Sequence, residues 1–243
     1  GDFTLSDSYL SVIEAIKYSA YAVNRKPVLT WLSSLDFEKD PKKVKELSKY
    51  DGIIVPGGFG ARGVEGKIKV IEYARTHNIP YFGLCYGMQL MVIEYARNVL
   101  GFKDANTREI NPSSKHLVID IMEDQKEKIA TKKLGGSMRL GAYEARLKKG
   151  SVAAIAYKST IISERHRHRY EVNNAYIDEL EKAGLVFSGL SPEGTLAEIA
   201  ELPASKHKFF LGTQFHPEFK ARPLSPHPLF TAFIKACIGK KKK

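Results

Sequence analysis

The sequence predicts an α/β fold in which a mostly parallel central sheet is flanked by helices. Strand-like and helix-like segments alternate through the first hundred residues, a pattern typical of a parallel sheet with helices on both faces. Short apolar runs dominate the second half, so we expect added short strands that are partly antiparallel. With 243 residues, 43% of them hydrophobic, the chain is long enough to bury a full core.

The individual elements follow from apolar spacing and from the turn residues between them. Helical spacing of apolar residues predicts a helix over about residues 10–23, with Ser6 or Asp7 as its N-cap. A charged surface helix is predicted at 41–50, and further helices at about 67–77, 88–100 and 229–238. Short buried runs predict strands at residues 27–32, 52–55, 79–84, 117–121, 142–147, 170–172, 184–189, 196–202 and 209–215. A glycine-rich loop over residues 56–66 follows the second strand.

The domain organisation is predicted to be simple. We find no internal repeat and no linker, so residues 1–243 are expected to form one domain, with a polar loop at 123–133 and a basic tail at 239–243. The sequence opens directly with a helix pattern, whereas an α/β domain normally opens with a buried strand. We therefore expect a C-terminal fragment of a longer chain that lacks its own first strand.

Composition and charge limit the function classes. Lys and Arg outnumber Asp and Glu by 38 to 27. No nucleic-acid-binding signature accompanies the basic cluster at residues 165–169, so acidic small molecules or a partner domain are its expected targets. No apolar run is long enough to cross a bilayer, and no signal peptide opens the sequence. Two cysteines, Cys85 and Cys237, do not form a disulfide framework, which favours a reducing, cytoplasmic setting.

A candidate nucleophile lies at residues 83–87 (GLCYG), where a predicted strand becomes a helix. This is the G-x-nucleophile-x-G arrangement, with Cys85 in the place of a serine. The sharp turn projects the nucleophile above the sheet, and glycines on both sides remove Cβ atoms that would clash. The first amides of the helix would stabilise a thiolate and an oxyanion. The alternative is a small buried core thiol, as most free cysteines are.

A candidate base lies at residues 214–218 (QFHPE), at the end of a predicted strand. A cysteine nucleophile needs a partner that accepts the thiol proton and later donates one to the leaving amine, and His216 suits that task near neutral pH. Glu218 could fix its tautomer, since in an extended segment this spacing puts both side chains on one face. A His-x-Glu by itself is more often a surface histidine beside a carboxylate, and six other histidines are also candidates for the base. Cys85, His216 and Glu218 together predict a triad.

Four further segments make the pattern more specific: residues 56–63 (PGGFGARG), 136–141 (GSMRLG), 164–173 (ERHRHRYEVN) and 214–219 (QFHPEF). With the Cys85 turn they resemble the class I (triad) glutamine amidotransferase domain of CTP synthases over essentially the whole chain. The resemblance implies a class I glutamine amidotransferase fold with a flavodoxin-like core. It also implies that the chain hydrolyses L-glutamine through a thioester on Cys85, as the glutaminase part of an ATP-dependent ligase.

Carried over residue by residue, the family's glutamine site falls on Gly58, Tyr86, Gln89, Glu109 and Arg169. The resemblance implies an oxyanion hole from the backbone amides of Gly58 and Tyr86. Gln89, one helical turn beyond the nucleophile, would face the pocket. Glu109 would bind the α-ammonium of the substrate, and Arg169 would lie near its α-carboxylate. The family usually has Leu where Tyr86 stands, so we expect a bulkier, more polar pocket rim and a main-chain role only for Tyr86.

The resemblance also implies partners and cofactors. No cofactor or metal is expected in this domain, and there is no P-loop, so ATP, UTP and Mg²⁺ would bind an N-terminal synthase domain that uses the ammonia to convert UTP to CTP. GTP is expected as an allosteric activator, and the full-length enzyme as a homo-tetramer. Arg165 and Arg167 would serve the domain interface or the activating nucleotide.

Three alternatives remain open at this point. Another triad amidotransferase or a stand-alone γ-glutamyl hydrolase would use the same chemistry, but the segment at 164–173 argues against both. A catalytically silent regulatory or binding domain would not need an intact Cys85, His216 and Glu218. A basic nucleic-acid binder would bind in a salt-sensitive manner that survives removal of Cys85.

Overall fold

The computed structural model describes residues 6–121 and 138–239 of the chain. The strands in these ranges are β1 (Ile53–Val55), β2 (Tyr81–Leu84), β3 (Asn106–Thr107), β4 (Leu117–Ile121), β5 (Arg139–Leu147), β6 (Ile161–His168), β7 (Tyr170–Val172), β8 (Val186–Leu190), β9 (Ala197–Glu201) and β10 (Phe210–Thr213). The α-helices are α1 (Leu10–Tyr21), α2 (Ser34–Lys39), α3 (Val64–Thr76), α4 (Tyr86–Asn98), α5 (Val152–Tyr157), α6 (Ile177–Lys182) and α7 (Pro228–Ile238). Short 3₁₀ helices occupy Ser6–Tyr9, Pro41–Lys49, Asn174–Tyr176 and Pro217–Phe219.

The main sheet has seven strands in the order β1-β2-β10-β9-β8-β5-β6. Strands β1, β2 and β10 run parallel, and the pairing is antiparallel from β10 through β9, β8 and β5 to β6. The α/β class is confirmed, and the antiparallel strands that we expected as additions form the larger part of this sheet. Because β1, β2 and β10 are parallel neighbours, the loops that follow them leave from the same edge.

Apolar residues fill both faces of the main sheet. On one face, α3 and α4 pack against Tyr81 and Phe210. On the other face, α1, α5 and α7 pack against Phe82, whose ring contacts that of Phe230 at a centroid distance of 5.1 Å. Helix α4 is buried from Tyr86 to Ala96, since the main sheet, α3 and the second sheet of β3, β4 and β7 all contact it. The helix that follows the predicted nucleophile is therefore held on all sides.

Some sequence-based predictions of local structure are wrong. Residues 27–32 form no strand, because they have no pairing partner in the described ranges. They line, together with β1, α1 and α7, a mostly apolar cavity of about 1040 Å³. Residues 41–49 form a 3₁₀ helix instead of an α-helix. Strand β6 was not predicted, because its outward positions are mostly polar and its inward ones include charged and histidine side chains.

The predicted loop at 123–133, residues 136 and 137 of one motif, and all of the basic tail except Gly239 lie outside the described residues. Every helix within the described ranges is too short or too polar to span a membrane.

A buried ion pair fixes α4 against α3. Glu94 of α4 has no solvent-exposed side-chain surface, and it accepts hydrogen bonds from Nε and Nη2 of Arg75 at distances from 2.7 to 3.1 Å. Asn98 donates to the same carboxylate at 3.0 Å. Such a pair adds little when both partners are present, but removal of one partner leaves a desolvated charge behind.

We expect Glu94→Gln to lower the free energy of unfolding by roughly 3 kcal/mol, because it leaves the Arg75 guanidinium short of its anion inside the fold. Chemical denaturation measures the change. The matched control is Glu72→Gln, whose carboxylate pairs with Lys69 at the surface of α3 and should contribute at most about 1 kcal/mol. Equal losses in the two variants would contradict this account of the α3–α4 contact.

Candidate active site

Cys85 occupies a strained turn between β2 and α4. Its backbone has φ 49° and ψ −97°, and its amide donates to the carbonyl of Thr213 at 2.6 Å. A Cβ on Gly83 would lie 2.7 Å from the backbone of Gly87, and one on Gly87 would lie 2.2 Å from the carbonyl oxygen of Val55. Both flanking positions therefore need glycine, as the sequence predicts, because neighbouring backbone atoms leave no room for a Cβ. A non-glycine residue at positive φ in such a turn is a feature of nucleophile elbows.

His216 and Glu218 form a hydrogen-bonded pair at the end of β10. His216 Nδ1 lies 2.7 Å from Glu218 Oε1, and both side chains are largely buried. The segment is not extended as expected, because residues Pro217–Phe219 form a 3₁₀ turn. The turn still brings the two side chains together, and it stacks the ring of Phe219 on the imidazole at 4.9 Å. The backbone amide of His216 donates to the Arg165 carbonyl at 2.8 Å, which ties this turn to β6.

His216 also lies within electrostatic range of the Cys85 sulfur. Burial opposes a charge on the imidazole, but the hydrogen bonds and charge interactions with Cys85 and Glu218 outweigh it and raise the pKa of His216 to about 10. Since Nδ1 is engaged by Glu218, Nε2 is the nitrogen that remains for the thiol. The arrangement can therefore hold a proton on the imidazole beside a sulfur nucleophile at neutral pH.

The glycine-rich loop after β1 lies against the residue that follows Cys85 and against His216. A Cβ on Gly57 would meet His216 Cε1 at 2.7 Å, and one on Gly58 would meet the ring of Tyr86 at 3.6 Å. The sequence predicts only a glycine-rich loop here, and nothing in it signals the close approach of Gly57 to the imidazole. Gly58 therefore lies beside the ring of Tyr86.

The side chain of Tyr86 is directed into the protein and does not form a pocket rim. It is 1% exposed, its hydroxyl donates to the carbonyl of Gly60 at 2.5 Å, and Lys67 Nζ lies 5.5 Å from its ring centroid. Burial, with a smaller contribution from Glu109, raises the pKa of this phenol, so it stays a hydrogen-bond donor. The amide of Gly60 donates to Glu109 Oε1 at 3.0 Å. The expectation of a bulkier, more polar rim is therefore wrong.

The other predicted substrate residues lie near Tyr170 and the glycine loop. Gln89 lies one helical turn after Cys85, and its Nε2 donates to the carbonyl of Tyr170 at 2.8 Å and to Gln214 Oε1 at 3.3 Å. Arg169 lies between β6 and β7, and its Nε is buried with no hydrogen-bond partner among the described residues. Burial raises the pKa of the Tyr170 phenol, Glu109 raises it further and Arg169 lowers it, so both charges lie within electrostatic range of that hydroxyl.

The arginine–histidine segment is divided by the alternation of β6. Arg165 and Arg167 are exposed, whereas His166 and His168 are buried and bonded to each other at 3.0 Å. Burial lowers the pKa of His166 to about 2 and that of His168 to about 3, helped in the first case by His168 and in both by Arg139. These two histidines are therefore neutral and unlike His216. The described residues contain no cluster of three His, Cys, Asp or Glu side chains arranged to hold a metal ion.

The sequence model of the family described as glutamine amidotransferase class-I matches residues 4–236. The chain belongs to the class I glutamine amidotransferases. Its fold also matches the glutaminase domain of Trypanosoma brucei CTPS with bound acivicin, with a TM-score of 0.91 and 40% sequence identity over 100% of this chain and 92% of that one. As a class I glutamine amidotransferase domain, the chain is homologous to that glutaminase domain.

Two curated relatives of this amidotransferase domain carry the name CTP synthase. The protein of Saccharopolyspora erythraea is 52% identical over 96% of this chain, and that of Sulfolobus acidocaldarius is 53% identical over 96% of it. The chain spans only 41% and 43% of the lengths of these two relatives. The likeness therefore concerns one part of each relative.

The proton on His216 provides a test of the Cys85–His216 contact. Folding raises the pKa of His216 from 6.5 to about 10, so the imidazolium contributes stability that is fully present below pH 6.5 and is lost as the pH rises through about 10. We expect Cys85→Ala to lower this pKa by about one unit or more, because the sulfur partner is removed. Histidine Cε1–H chemical shifts followed against pH measure it.

The matched control is Cys237→Ala, which removes the thiol of α7 on the far side of β1 and should leave the His216 titration unchanged. An unchanged midpoint in the Cys85 variant, or equal shifts in both variants, would show that the thiol does not support the imidazolium.

Proposed function

We propose that this domain hydrolyses the side-chain amide of L-glutamine to glutamate and ammonia, with Cys85 as nucleophile. The observation that carries the proposal is the strained turn that presents Cys85 to His216, whose other ring nitrogen is held by Glu218 at 2.7 Å. This is the nucleophile, base and orienting acid of a hydrolase triad.

The chemical steps follow from these contacts. The Cys85 thiolate attacks the amide carbon of glutamine, and the amides of Gly58 and Tyr86 receive the oxyanion. His216 donates its proton to the departing ammonia, and the C–N bond breaks to leave a γ-glutamyl thioester. Neutral His216 then accepts a proton from water as the water attacks the thioester. The thiolate leaves with the bonding electron pair, and glutamate is released.

The ends of the substrate are recognised by opposite charges. Glu109 uses one carboxylate oxygen for the Gly60 amide, and its other oxygen can accept from the α-ammonium. Arg169, whose buried Nε lacks a partner among the described residues, suits the α-carboxylate. Gln89 contributes its amide oxygen to the pocket, because its nitrogen is engaged within the protein. These three residues therefore favour an amino acid over a simple amide.

We further propose that the ammonia supplies a synthase domain that converts UTP to CTP. The support is the identity of 52% and 53% to proteins named CTP synthase, of which this chain spans less than half. ATP, UTP and Mg²⁺ would bind that synthase domain, GTP would activate the glutaminase step, and the whole enzyme would be a homo-tetramer. The exposed guanidinium groups of Arg165 and Arg167 are available for an anionic nucleotide or for the domain interface.

The first experiment identifies the nucleophile. The protein is incubated with a glutamine-like diazoketone, and the adduct is located by mass spectrometry. We expect labelling at Cys85, since burial raises the pKa of Cys237 to about 12 and keeps that thiol protonated and unreactive. Glutamine hydrolysis should fall on the order of a thousandfold or more in Cys85→Ala and little in Cys237→Ala. An adduct at Cys237, or full activity without Cys85, would refute the proposal.

The second experiment tests the use of the ammonia. In the longer enzyme that includes the synthase domain, Cys85→Ala should abolish CTP formation from glutamine and leave CTP formation from added ammonium salts intact, because the synthase step needs only free ammonia. His216→Asn should behave in the same way. Loss of both activities in a folded protein, or no CTP from either nitrogen source in the unmutated enzyme, would contradict the synthase assignment.

A further inference from the structure

A chain of two buried glutamine side chains leads from a backbone carbonyl to the nucleophile. Gln89 Nε2 donates to the carbonyl of Tyr170 at 2.8 Å and to Gln214 Oε1 at 3.3 Å. Gln214 Nε2 in turn donates to Cys85 Sγ at 3.7 Å. Gln214 has no exposed surface, and Gln89 is 3% exposed. The amide of Gln214 therefore contacts the reacting sulfur directly and not through solvent.

The orientation of both amides is set by the Tyr170 carbonyl. A backbone carbonyl can only accept, so the group of Gln89 that faces it must be the NH₂. The same NH₂ also faces Gln214, which must therefore present its oxygen. The NH₂ of Gln214 is then directed at Cys85, because the reversed amide would place two donors against each other. One orientation satisfies all three contacts.

We propose that Gln214 is a further catalytic residue, whose amide donates a hydrogen bond to the Cys85 thiolate, and that Gln89 is its positioning residue. A donor to the charged form of a group stabilises that form. The bond supports the thiolate before it attacks, weakens when sulfur becomes the uncharged thioester, and re-forms when the thiolate leaves. The inference rests on the proposed hydrolysis at Cys85, and it gives Gln89 a role beyond substrate contact.

A neutral donor fits the charges that face this sulfur. The protonated ring of His216 lies on one side, with Glu218 behind it. Strand β6 presents only the Arg167 carbonyl, 4.0 Å from Sγ, and its buried histidines are uncharged. The buried charges of Arg139 on β5 and Glu198 on β9 are paired with each other. A lysine or arginine in the place of Gln214 would oppose the imidazolium, whereas an amide stabilises the thiolate without a second cation.

The test measures the sulfur without any turnover of glutamine. The rate of Cys85 alkylation by iodoacetamide is followed against pH, with the adduct assigned by mass spectrometry. In Gln214→Met, which keeps the volume and removes the donor, the pH of half-maximal rate should rise by about one unit. In Gln89→Met it should rise by less, because the Gln214 amide remains but loses its orientation.

The control is Ser188→Ala, which removes a buried hydrogen bond to Glu201 in the same sheet and should leave the alkylation profile unchanged. Thermal unfolding is recorded for every variant. If Gln214→Met is less stable but its alkylation profile against pH is unchanged, the role of Gln214 is merely structural and the inference is overturned. An equal shift of the profile in Ser188→Ala would also overturn it. If Gln214→Met does not fold, Gln89→Met decides the question by the same criterion. If the diazoketone fails to label Cys85 but the alkylation profile of Gln214→Met is shifted, the proposed glutamine hydrolysis is contradicted. The hydrogen bond from Gln214 to Cys85 would still be supported.

Discussion

The backbone conformation of Cys85 depends on close packing around a single turn. A positive φ at a non-glycine residue is unfavourable by roughly 1–3 kcal/mol, so the surroundings must hold it in place. The amide of Cys85 is tied to Thr213 in β10, and Gly87 lies so close to Val55 in β1 that no side chain fits between them. The turn is thus fixed by both parallel neighbours of β2, and these same strands lead into the glycine loop and to His216. One constraint thus acts on the turn of Cys85, on the glycine loop and on the segment of His216, the three parts of the proposed catalytic site.

Three buried histidines differ in charge: His216 is protonated at neutral pH, whereas His166 and His168 are neutral. His166 lies 3.6 Å from Glu198, but that carboxylate is bound by Arg139, and burial keeps the rings of His166 and His168 uncharged. His216 is also buried, but it has Glu218 and the thiol as partners. The basic composition of the chain thus says little about the site. Whether each buried histidine carries a proton depends on the groups that contact it.

The sequence predicts the residues of the site better than their geometry. Cys85 follows from the glycines around it, because the need for backbone contact at a sharp turn restricts residue type. The pairing of His216 with Glu218 follows from their spacing, although a 3₁₀ turn and not an extended strand produces it. The contact of Gln214 with the sulfur joins residues 129 positions apart, and the direction of the Tyr86 ring depends on the loop above it. Tertiary packing determines both, and no local pattern encodes it.

The glycine loop is held through both main-chain groups of one residue. The amide of Gly60 donates to Glu109, and its carbonyl accepts from the Tyr86 hydroxyl. Tyr86 also supplies the backbone amide that follows the nucleophile, so its side chain and main chain serve the two sides of the proposed oxyanion hole. If Glu109 binds the α-ammonium of glutamine with its second oxygen, the carboxylate that recognises the substrate also holds the loop that carries Gly58. Substrate recognition and the position of the oxyanion donors would then be linked through one side chain, and a tyrosine next to the nucleophile becomes a structural support for the loop.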